Sequence, residues 1–133
     1  MEQKFKRSLD ELKNIVAMTE VLFREEGLQS DLRHVVDLAT EELFVNMVTY
    51  DTESDEDILI QMMPHEHGIE VRLTDFDVDR FDPTAARSVD IDSPLAERTP
   101  GGLGLFLVMK MVDSIHYEYR NRQSQITFIV DRK

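Results

Sequence analysis

The chain contains no cysteine. That excludes disulfide frameworks, zinc–cysteine centres and thiol catalysis. Basic residues are scarce, with 15 Lys and Arg against 27 Asp and Glu, and the net charge is −12. Binding a phosphate backbone needs Lys and Arg to displace counterions, so this balance argues against nucleic acid as a partner. It argues equally against an anionic membrane surface. A basic protein partner stays compatible with it, and so does the plain reading that acidity keeps the protein soluble. No apolar stretch approaches the length of a membrane span. The opening Met1-Glu2-Gln3-Lys4-Phe5-Lys6-Arg7 lacks the apolar core of a signal peptide, and a cytoplasmic location is expected. Internal repeats, low-complexity tracts and linkers are also missing, so the 133 residues are expected to form one domain, 1–133.

What is present is ordered by hydrophobic period. From Leu9 to about Glu26 the residues Leu9, Leu12, Ile15, Val16, Thr19, Leu22 and Phe23 recur at helical spacing. Gly27 is a natural stop. Ser30 or Asp31 can cap a second helix running to about Tyr50. A short edge strand is expected over about Lys4 to Leu9, and strands over Ile58 to Met63 and Ile69 to Phe76, joined by the turn Pro64-His65-Glu66-His67-Gly68. Phe81 to Pro100, rich in Asp, Ser, Pro and Thr, reads as a long loop of the kind that serves as a lid. A helix from Leu103 to Val112 follows. Two closing strands, about Ser114 to Tyr119 and Ser124 to Val130, are joined by the turn Arg120-Asn121-Arg122-Gln123. This order implies an α+β fold, with helices packed on one face of a mixed, mostly antiparallel sheet.

Chemistry is concentrated in a few places. Three of the five glycines fall in the run Arg98-Thr99-Pro100-Gly101-Gly102-Leu103-Gly104-Leu105, just ahead of an apolar helix. Glycine lets backbone approach a ligand, and a helix N-terminus offers free N–H donors with partial positive charge. The run is neither a P-loop nor a Rossmann fingerprint. Taken alone it fits a phosphate loop and a glycine hinge about equally. Glu42 and Asn46, four residues apart, share a helix face with Val35 and Ala39. They suit a general base beside a Mg²⁺ ligand, since Mg²⁺ takes hard oxygens and keeps water and phosphate as the rest of its shell. An ordinary surface pair is the competing reading. Asp75, closing a strand, suits an acceptor for an exocyclic amine such as that of adenine, or a turn-forming Asp. Arg98 suits a terminal phosphate or a solvated lid charge. His65 and His67 flank Glu66 in a turn where no third metal ligand is evident nearby, so solvation explains them better than metal.

The order of these signals is more specific than any one of them. Leu38-Ala39-Thr40-Glu41-Glu42-Leu43-Phe44-Val45-Asn46-Met47-Val48-Thr49-Tyr50 resembles the N box of the Bergerat-fold ATPases. Asp75 onward to Phe81-Asp82-Pro83 resembles their first glycine box, and Pro94 through Val108 their second. With the continuation Met111-Val112-Asp113-Ser114-Ile115-His116-Tyr117, the whole chain resembles the anti-sigma factor serine/threonine kinases, or switch-protein kinases, of the GHKL superfamily. The resemblance implies a two-layer α/β sandwich that binds ATP and Mg²⁺. It implies that Glu42 is the general base, that Asn46 holds Mg²⁺ and that Asp75 reads the adenine amine. It implies that Gly101, Gly102 and Gly104, with Leu103 and Leu105 between and after them, line the phosphates, and that Arg98 meets the terminal phosphate or the partner. The implied substrate is a STAS-domain anti-sigma factor antagonist. A sigma factor or other regulatory protein is a second implied partner, and a homodimer is expected.

One departure stands out. The family's first box carries glycines where this chain has Asp77 and Asp79, and counting back from Phe81-Asp82-Pro83 suggests one extra residue. Two carboxylates facing the phosphates would repel them. This supports an alternative: a non-catalytic partner-binding module on the same fold with a decayed nucleotide site. A third reading, the ATPase domain of a sensor histidine kinase, fits less well because no phosphoacceptor helix hairpin precedes the domain.

Overall fold

In the computed structural model the described residues are 1–28, 30–50, 54–79 and 102–131. Strand β1, Glu2–Phe5, leads through a 3-10 turn, Leu9–Glu11, into α1, Leu12–Glu26. Helix α2 follows at Ser30–Tyr50, then β2 at Ile58–His65 and β3 at Gly68–Phe76. Helix α3, Gly102–Met111, precedes β4, Ser114–Arg120, and β5, Gln123–Asp131. The five strands form one sheet in the order β1-β2-β3-β5-β4, and all four pairings are antiparallel.

The periodicities of the sequence explain the layers. Along β2 and β3, Ile58, Ile60, Met62, Ile69, Val71 and Leu73 are fully buried. Their alternate neighbours lie on the opposite sheet face. Ile126, Phe128 and Val130 continue the buried face on β5. Against it pack Ile15, Met18, Leu22 and Phe23 of α1, Val36, Ala39, Leu43, Phe44 and Met47 of α2, and Leu105 and Val108 of α3. Phe5 closes the edge, meeting Phe44 edge-on at 6.5 Å. Gly27 ends α1 at φ 64, its N–H donating to Phe23 O, as an αL cap does.

The differences from expectation are local. The edge strand starts earlier and ends at Phe5. A 3-10 turn takes the first residues assigned to α1. Ser30 is the first helical residue of α2, and the position ahead of it lies outside the described residues. The β2–β3 hairpin needs only Glu66 and His67, because β2 continues through Pro64 to His65. Met62 N–H donates toward β1, to Met1 O at 2.8 Å. The nitrogen of Pro64 is on the same side two residues later, past the residues of β2 that pair with β1, where no ladder bond is lost. The loop expected over Phe81 to Pro100 lies outside the described residues.

Candidate functional site

Helix α2 passes over the middle of the sheet, and its spacing places Glu42 and Asn46 one turn apart. Asn46 is 8% exposed, with its Nδ2 buried and without a hydrogen-bond partner. A buried amide left unpaired is costly. Turning the amide over puts Oδ1 in that position, the hard oxygen that Mg²⁺ takes. Glu42 is half-buried. Burial, and secondarily the neighbouring Glu41, raise its carboxyl above the ordinary glutamate range. That shift makes a carboxylate a better proton acceptor near neutral pH.

Glu42 and the second glycine box meet directly. A Cβ added at Gly104 would fall on the Glu42 carboxylate. Two elements some sixty residues apart in sequence thus converge because residue 104 has no side chain. Gly102 is the first residue of α3, so the box supplies the free N–H groups of a ten-residue helix. Leu105 is buried in the core, which leaves only its backbone for a ligand. Arg98 and Gly101, and the side chain of Leu103, lie outside the described residues.

Asp75 sits near the end of β3, paired with Ser124 of β5, and its side chain is fully buried. Arg7 Nη2 forms an ion pair with Oδ1. Oδ2 is buried with no hydrogen-bond partner, so one oxygen is left for an outside donor such as an exocyclic amine. Asn46 and Asp75 both carry orphaned polar atoms, and a purine nucleotide with Mg²⁺ would supply partners for both. The residues present fit that group, with Asn46 as the protein's contribution to the metal and substrate phosphates completing the shell. Among the described residues no group of three or more His, Asp or Glu is placed to hold a metal ion by itself. His65 instead faces Asp131, Nδ1 to Oδ1 3.3 Å.

The two aspartates of the first box do something the sequence does not show. Arg122 Nε donates to Asp77 Oδ1 at 2.9 Å, Nη1 to Asp79 Oδ1 at 2.8 Å, and Nη2 to Asp77 O at 3.3 Å. Val78 N–H donates to Arg122 O at 3.0 Å, and Tyr119 O–H donates to Val78 O at 2.7 Å. Both carboxylates are thus paired to the β4–β5 turn, which weakens the expectation of bare charge against phosphate. Asp77 has φ 57, so it adopts the left-handed backbone that a glycine would provide, as Asp tolerates better than most residues.

Arg7 and Arg122 are the two residues of this region that sequence reasoning passed over. Their partners lie 68 and 45 residues away, and no local period marks such pairs. In a comparison with known protein families, a family model described as histidine kinase-like ATPase domain matches residues 5–130. Comparison with curated proteins gives no match. No helix among the described residues is long and apolar enough to cross a membrane.

Proposed function

Since the chain belongs to the histidine kinase-like ATPase domains of the GHKL superfamily, we propose that it is an ATP- and Mg²⁺-dependent protein serine/threonine kinase. In this reading it works in the cytoplasm as a homodimeric partner-switching regulator. It phosphorylates a STAS-domain antagonist and holds a second regulatory protein, such as a sigma factor. The observation that carries the reading is the contact of Glu42 with Gly104. It brings a carboxyl with raised proton affinity to the glycine box that the family uses for phosphates.

The chemistry asks little covalent work of the protein, because phosphoryl transfer rests on positioning and charge neutralisation. Glu42 accepts the proton of the substrate serine hydroxyl as that oxygen bonds to the γ-phosphorus. The bond to the β–γ bridging oxygen breaks, and ADP leaves. Asn46 would hold Mg²⁺, which would supply charge neutralisation for the phosphates. Asp75 Oδ2 accepts from the adenine amine and fixes the base. The N-terminal N–H groups of α3 receive phosphate oxygens.

The second reading, a partner-binding module without catalysis, draws on Asp77 and Asp79 where the family has glycine. One assay separates the two. The protein is incubated with Mg²⁺-ATP and STAS-domain proteins of the same genome, and phosphoserine is read by mass spectrometry. Transfer that falls about a hundredfold or more in Glu42→Gln supports the kinase, in line with general-base contributions. Stable binding of a STAS protein with no transfer supports the module instead.

A further inference from the structure

We infer that Arg7 is a positioning residue of the nucleotide site, fixing the nucleobase-reading carboxylate and tying it to the helix that carries the metal residue. The inference rests on the nucleotide-site reading above and adds a residue to it. Arg7 lies in the link between β1 and α1. Ser8 N–H donates to Lys6 O at 2.8 Å, a three-residue turn centred on Arg7. Lys6 N–H donates to Glu11 Oε2 at 2.8 Å, and Asp10 N–H donates to Ser8 Oγ at 3.2 Å. The backbone on either side of Arg7 is therefore held by its own hydrogen bonds, and Phe5 two residues earlier is buried in the core.

From that anchor the guanidinium reaches both Asp75 and Met47. Nη2 engages Asp75 Oδ1, and Nη1 donates to Met47 O at 3.4 Å. Met47 follows Asn46 on α2, so one side chain links the base end of the site with its metal end. The pair is well shielded, with Arg7 12% and Asp75 0% exposed at the side chain. A cation beside a carboxylate buried this deeply favours its charged form. With Oδ1 committed to Arg7, Oδ2 is the acceptor left without a partner. Arg7 thereby sets which of the Asp75 oxygens a base can use. A buried acceptor without a partner discriminates sharply between a ligand that brings a donor and one that does not.

The test compares ADP with inosine diphosphate, whose base carries a carbonyl in place of the exocyclic amine. Both are titrated with Mg²⁺ into the full chain by calorimetry. Wild type is expected to prefer ADP by at least about tenfold, the cost of leaving a buried acceptor unpaired. Arg7→Gln removes the charge, and Arg7→Lys keeps it but offers one nitrogen in place of a fork. Both variants are checked for folding by thermal melting. The expected result is a preference for ADP that falls toward unity in Arg7→Gln and to an intermediate value in Arg7→Lys. A purely structural role for Arg7 would weaken both nucleotides in proportion and leave the ratio alone. An unchanged ratio in whichever variant folds overturns the inference. Tighter ADP binding in Arg7→Gln also overturns it, because Arg7 would then be competing with the base. If wild type binds neither nucleotide, the nucleotide-site reading itself falls and takes this inference with it, an outcome distinct from an unchanged ratio.

Discussion

Glu42 carries the most direct link between burial and chemistry. Its carboxyl is raised in the folded chain, first by burial and then by Glu41. A group whose folded pKa exceeds its unfolded one stabilises the fold while protonated, and that contribution is lost as pH rises through the folded value. Below about pH 4.3, the ordinary glutamate value, the contribution is complete. At neutral pH the charged form opposes folding. Glu42→Gln should therefore melt higher than wild type at pH 7, with the gap closing toward pH 4, while phosphotransfer falls. Thermal melts across that range check it, and a gap that stays constant with pH would count against the shift. Asn46→Ala should leave melting close to wild type and weaken Mg²⁺-ATP binding, read by titration at fixed Mg²⁺. Equal affinity in the two proteins would remove the metal role from Asn46. These residue types and their spacing were readable in the sequence. That Asn46 and Asp75 keep orphaned polar atoms was not, because it depends on what the rest of the fold leaves beside them.

Among elements, the junction of α2 with α3 is the informative one. Gly104→Ala would normally help a helix by about 1 kcal/mol. Here the new methyl meets the Glu42 carboxylate, the far end of a flexible side chain that can swing away. Gly104→Ala should hence stay within about 1 kcal/mol of wild-type stability, yet lose phosphotransfer as Glu42→Gln does. Chemical denaturation beside the transfer assay tests this, and full activity would separate Gly104 from Glu42. The β4–β5 turn is the second such element. Asn121 and Arg122 both have positive φ, 51 and 62, as a two-residue turn of primed type requires. That turn aims Arg122 at Asp77 and Asp79. Replacing both aspartates with Gly should leave ATP affinity unchanged or weaker, and residues 77–79 should exchange amide hydrogen faster. ATP binding that tightens in the double variant relative to wild type, more at low salt than at high salt, would restore the repulsion argument. Helices and strands were legible because burial imposes periods of 3.6 and 2 on the sequence. The clamp was not, because two acidic residues read as repulsive until the turn that neutralises them is folded beside them.

Across the whole molecule, the order of elements, the helices on one sheet face and the GHKL superfamily were available from the sequence, and residues 5–130 match the model of the histidine kinase-like ATPase domain. Alternation along β2, β3 and β5 set which side faces the helices, and Gly27 set where α1 ends. What could not be read was how distant segments meet. Arg7 with Asp75, Glu42 with Gly104 and Arg122 with Asp77 are each separated by 45 residues or more. In the proposed function these meetings build a nucleotide site. Calorimetric titration of the full chain with ATP, with and without Mg²⁺, tests it most directly. Wild type is expected to bind saturably and more tightly with Mg²⁺, and Asn46→Ala to lose that Mg²⁺ dependence. No binding of ATP under either condition, by a wild-type protein that melts cooperatively, would contradict it.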